Sequence, residues 1–144
     1  MEAPKLRLAV LIDDNDIDLF VQKRFIEINR FADQVITFRS PVDALDYLNG
    51  GQELPEIIFL DLNMPVMDGF EFLERYMTLP EKVTQSSKVV VLTSSSSTAD
   101  RERATGFRNV IDFASKPLGA QSLERIRIHF QGRADQQAVK VHKL

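Results

Sequence analysis

The stretch Ile57–Gly69, IIFLDLNMPVMDG, reads in three parts. IIFL is an unbroken apolar run, short and rich in branched side chains, as expected of a strand covered on both faces. Asp61 then places a carboxylate where the chain leaves that strand. Pro65 punctuates a loop, and Asp68 with Glu71 three residues later has the spacing of a capping box, so a helix is expected to open there.

The same grammar recurs outward along the chain. Leu6–Ile12, Gln34–Phe38, Glu56–Leu60, Lys88–Leu92 and Asn109–Ala114 read as strands, and stretches with helical spacing lie between them. Ile17, Phe20, Val21, Phe25 and Ile28 mark an amphipathic first helix; Ala44, Leu45 and Leu48 mark the second. Ser40 followed by Pro41 is an N-cap with proline at the first helical position, and Gly50-Gly51 and Pro80 mark helix ends. Residues 78–87 read as a polar loop. The last helix is expected from about Gln121 to Phe130, with Leu123, Ile126 and Phe130 on one face and Ile128 opposite, between Arg125 and His129.

Five alternations of strand and helix imply a parallel sheet with helices on both faces. AVLI, IIFL and VVVL are continuously apolar, whereas VITF and VIDF each carry a polar residue. Strands 1, 3 and 4 are then central and strands 2 and 5 are edges, which selects the α/β flavodoxin-like order 2-1-3-4-5.

Composition narrows the function. With 144 residues, 44% hydrophobic and 27% charged, the chain suits one soluble domain, expected over residues 1–131 with a flexible tail at 132–144. A net charge of −3 argues against a nucleic-acid binder, although the end after Pro117 is basic. Absence of cysteine excludes disulfides and thiolate metal sites. The apolar run Leu8–Ile12 is far too short to span a membrane and runs into Asp13-Asp14, so a cytoplasmic protein is expected.

Ligands of open parallel sheets bind beyond the carboxyl ends of the strands. Strand 1 ends in Asp13-Asp14, strand 3 in Asp61 and Asn63, strand 4 in Thr93-Ser94, and strand 5 in Lys116-Pro117. Three carboxylates converging on one crevice repel one another unless a cation neutralises them. Oxygen donors, no cysteine and histidines only at His129 and His142 favour Mg2+, or Mn2+, over zinc.

In this order, the acid pair, the DxNMPxMDG motif (DLNMPVMDG, Asp61–Gly69), Thr93 and Lys116-Pro117 resemble the receiver domains of two-component response regulators, over roughly Lys5 to Phe130. That resemblance implies a phospho-acceptor role for Asp61 and metal binding by Asp14, Asp61 and the Asn63 main-chain carbonyl, with Asp13 acting through water. It further implies that Lys116, after a bond commonly cis, and the Thr93 hydroxyl meet the phosphoryl group. Phe113 would pair with Thr93 as the switch, and Asn63 and Ser95 would tune hydrolysis. The phosphodonor would be a histidine kinase or phosphotransfer protein. The readout would be a protein target at the fourth helix of the family, strand 5 and the last helix, where Ile128 also lies.

Other functions on this fold fit less well. A flavin or nucleotide binder needs glycines and free amides in the first turn, where this chain has DDND. A haloacid-dehalogenase-like phosphatase needs a second aspartate two residues after the first, and that position is Asn63. A receiver-like interaction module working without phosphorylation would be expected to lose Asp61, the acid pair or Lys116, and none is lost. With no further domain expected after the tail, a single-domain regulator signalling by contact is the reading.

Overall fold

A computed structural model describes residues 5–130. In it β1 (Leu6–Ile12), β2 (Ala32–Phe38), β3 (Ile57–Leu60), β4 (Lys88–Thr93) and β5 (Val110–Ser115) form one parallel sheet in the order 2-1-3-4-5. The helices are α1 (Asp16–Ile28), α2 (Pro41–Leu48), α3 (Gly69–Tyr76), α4 (Glu81–Ser86), α5 (Thr98–Thr105) and α6 (residues 120–130). The expected tail lies outside the described residues.

Alternation along the central strands divides the core into two layers. Val10, Ile12, Ile58, Leu60, Val89 and Val91 point to the side covered by α2 and α3, where Ala44, Leu48, Phe72 and Tyr76 meet them. Ala9, Leu11, Phe59, Val90 and Leu92 point the other way, against Leu19 and Ile26 of α1 and Leu123, Ile126 and Phe130 of α6. The unbroken apolar runs therefore serve both layers at once. Each large aliphatic side chain so buried contributes about 1.5–3 kcal/mol.

The predicted caps form. Ser40 Oγ accepts from the Asp43 N–H with Pro41 at the first position, and an Asp68 carboxylate oxygen accepts from the Glu71 N–H at 2.9 Å. Gly69 has a further reason to be glycine. A Cβ there would stand 2.7 Å from the Asp61 carbonyl oxygen and 2.8 Å from Leu62 Cα, so only a bare backbone can begin α3 this close to β3.

Two expectations are corrected. The loop at 78–87 contains α4, of which Pro80 is the N-cap rather than only a mark of the preceding helix's end. One apolar residue, Val83, gives almost no periodic signal, but it is buried. The buried Asn109 amide donates to the Thr84 and Ser87 carbonyls and ties α4 to β5, satisfying groups that burial would otherwise leave unpaired.

The second correction concerns α1. Its buried residues are Leu19, Gln22 and Ile26, while Ile17, Phe20 and Ile28 are 73%, 68% and 69% exposed, and Val21 is exposed beside them. Of the stripe that announced this helix, Phe25 alone packs partly against the core. Both faces of α1 carry apolar residues, and spacing alone does not say which one the sheet takes. Phe20→Ser should therefore change unfolding free energy by less than about 0.5 kcal/mol, whereas Ile26→Ala should cost about 2–5 kcal/mol. Urea unfolding of the two variants checks this; equal losses would contradict the assignment of faces.

Candidate functional site

The sheet's hydrogen-bond ladder continues one residue past the strand ends and so fixes the residues that follow. The Asp13 N–H donates to Phe38 O, the Asp61 N–H to Ile12 O and the Lys116 N–H to Thr93 O, all within 3.1 Å. Backbone bonds of the fold itself thus present these side chains at one edge. Asp13, Asp14 and Asp61 each offer a carboxylate oxygen, and these oxygens lie within 4.8 Å of one another. Asp13 and Asp61 are buried and Asp14 is half-buried.

Lys116 enters from β5 through a cis peptide bond to Pro117. Its ammonium donates to Asp13 Oδ2 at 2.6 Å and lies 3.6 Å from Asp61 Oδ2. It also donates to Asp18 Oδ2 at 2.9 Å, a contact not anticipated above. Gln22, one turn further along α1, is buried and directs its amide at Asp13 Oδ2 from 3.4 Å. A polar residue on the buried side of an otherwise apolar helix face was the available signal. The more numerous apolar residues of the other face concealed it.

Electrostatics of the cluster follow from this crowding. Burial pushes the Asp61 carboxyl above its ordinary value; Lys116 pulls the other way, and the charge of Asp13 adds to the rise. Burial alone would lower the Lys116 pKa, yet its bonds to Asp13 and Asp18, with the charges of Asp13 and Asp61, together outweigh that and raise it. Lys116 is thus a permanent cation. One ammonium faces several carboxylates.

The remaining expected residues fall around this centre. Thr93 is fully buried at the end of β4, its Oγ1 accepting from the Ser95 N–H at 3.2 Å. The Ser95 hydroxyl is engaged with Asp100 Oδ2 at 2.8 Å. Asn63 is exposed, and its N–H reaches Asp61 Oδ1 at 3.4 Å. Phe113 is buried in the α3-side layer with the Arg101 guanidinium 5.9 Å from its ring. Ile128 is exposed on α6.

The structure thus carries an acid cluster and a lysine at the carboxyl edge of a five-stranded parallel sheet of order 2-1-3-4-5. The family model of the response regulator receiver domain matches residues 9–127, and this chain belongs to that family. It is 33% identical over 135 residues to the probable methanogenesis regulatory protein FilR2 of Methanothrix harundinacea, covering 87% of this chain and 81% of that one. Among solved structures it resembles a two-component response regulator from Cytophaga hutchinsonii, with a TM-score of 0.79, 27% identity and coverage of 88% of this chain and 99% of that one. A receiver protein from Dyadobacter fermentans is 30% identical with a TM-score of 0.77, covering 87% and 95%. The chain spans only about a third of the length of several other relatives it matches. Among the described residues no helix is long and apolar enough to cross a membrane.

A buried carboxyl with a raised pKa destabilises the fold when ionised. That contribution is favourable below the unfolded-state pKa and is lost as pH rises through the folded-state value. Asp61→Asn should therefore stabilise the metal-free protein at neutral pH, with the gain fading at acid pH where wild-type Asp61 is itself protonated. Urea unfolding in the presence of a chelator checks this; lower stability of the variant at neutral pH would contradict it.

Proposed function

We propose that this chain accepts a phosphoryl group on Asp61 from a phosphohistidine-bearing protein and signals the change to a protein partner. The observation that carries the reading is the convergence of Asp61, the acid pair and Lys116 at one sheet edge. An Asp61 oxygen attacks phosphorus as the donor's P–N bond breaks, its electron pair returning to the imidazole. Lys116 faces the new phosphoryl oxygens, and the Thr93 hydroxyl lies one strand away to meet them. The donor is a histidine kinase or phosphotransfer protein, and the exchange belongs in the cytoplasm.

The donor set is all oxygen and crowded enough to need a cation, which suits Mg2+ or Mn2+. Asp14 and Asp61 with the Asn63 carbonyl would hold it, and Asp13 would act through water. Bound there, the ion supplies charge neutralisation for the carboxylates and the incoming phosphoryl oxygens.

A donor protein must cover ground beside Asp61 to deliver its phosphohistidine. Exposed apolar ground is offered at the start of α1, where Ile17, Phe20 and Val21 follow the acid pair in sequence. The readout surface is α5, β5 and α6. There Phe113 and Thr93 couple the site to the surface by packing alone, since Phe113 has no hydroxyl, and Ile128 offers an exposed apolar contact. Asn63, exposed beside Asp61, is better placed than the engaged Ser95 to orient a hydrolytic water, so the phosphoryl group is not unusually long-lived.

Incubation with acetyl phosphate and magnesium, followed by intact-mass measurement, tests the reading. Wild type should gain one labile phosphoryl adduct, which should not form when chelator is present from the start and should be absent from Asp61→Asn. No adduct on wild type, or one that persists in the variant, would instead favour an interaction module working without phosphorylation.

A further inference from the structure

Resting on the phospho-acceptor reading above, a further assignment concerns Asp18. The Lys116 ammonium has three N–H donors. Two are spent on Asp13 and Asp18, at 2.6 and 2.9 Å, while Asp61 Oδ2 stays beyond hydrogen-bond distance at 3.6 Å. The lysine is therefore drawn toward α1 and off the acceptor. Both anchors are themselves held. Asp13 accepts from the Asn15 N–H at Oδ1 and from Gln22 at Oδ2, and Asp18 sits in the first turn of α1, where its N–H donates to the N-cap Asn15.

The two anchors differ in one respect. Asp13 belongs to the carboxylate cluster that a divalent cation would neutralise, whereas Asp18 does not. Asp13 would thus be shared with a bound cation, whereas Asp18 would keep its tie to Lys116 undivided. An arriving phosphoryl group, with about two negative charges, must take an N–H from Asp18 or accept a partly occupied lysine, and it also feels the Asp18 charge behind that lysine. We propose that Asp18 is a positioning residue that restrains Lys116, competing with phosphoryl oxygens for the ammonium and so weakening phosphoryl binding at Asp61.

Titration with beryllofluoride in saturating magnesium, followed by 19F NMR, tests this. Asp18→Asn should lower the half-saturating beryllofluoride concentration by about threefold or more, the size expected for removing one nearby charge in a partly screened site. Asp18→Glu should restore wild-type behaviour. With acetyl phosphate as donor, the concentration giving half-maximal rate should fall while the maximal rate changes less. In a Lys116→Gln background the benefit of Asp18→Asn should largely disappear, which a merely structural role for Asp18 would not produce. Unchanged or weaker beryllofluoride binding in Asp18→Asn, or a full benefit without Lys116, would overturn the restraint while leaving the acceptor reading intact. Failure of wild type to bind beryllofluoride would overturn both.

Discussion

Three carboxylates whose oxygens lie within 4.8 Å of one another cannot all be ionised, buried and unpaired. Much of the molecule can be understood as the means of holding them there. The parallel sheet supplies main-chain hydrogen bonds that run past the strand ends and fix Asp13 and Asp61 in place. Gly69 lets α3 start against the carbonyl of Asp61, and β5 returns a lysine from the far side. The stability lost to this crowding is offset by the two apolar layers beneath it. That division is common in folds whose sites are carried at an edge by a rigid scaffold.

Lys116 is the local counterweight, and it is an incomplete one. A single ammonium facing Asp13, Asp18 and Asp61 leaves negative charge uncompensated at this edge. Burial at the same edge keeps Asp61 harder to ionise than an ordinary carboxylate, although Lys116 pulls the other way. Site chemistry and resting-state electrostatics are thus two aspects of one arrangement. Helix α1 touches both: its buried side reaches Asp13 and Lys116 through Gln22 and Asp18, and its exposed side carries Ile17, Phe20 and Val21.

Strand order and the edge location of the site were legible because continuous apolar runs and the residues ending them are local patterns. IIFL against VIDF separates centre from edge without any tertiary information. Harder to read were features decided by three-dimensional competition. On α1 two apolar faces were available, and the sheet took Leu19 and Ile26, displacing the more numerous Ile17, Phe20, Val21 and Ile28 to the surface. Helix α4 is ordered by a buried Val83 and by Asn109, which lies more than twenty residues away in sequence. The Asp18–Lys116 contact likewise joins residues 98 positions apart, so neither residue alone could announce it.

The central claim is that the acid cluster is a divalent-cation site completed around Asp61. Its most direct test is titration of the protein with Mn2+ monitored by electron paramagnetic resonance, repeated with Asp14→Asn. Wild type should remove one equivalent of Mn2+ from the free-ion signal, in competition with Mg2+, and the variant should bind markedly more weakly. Mn2+ remaining free in the presence of wild type, or bound equally well by the variant, would contradict the account.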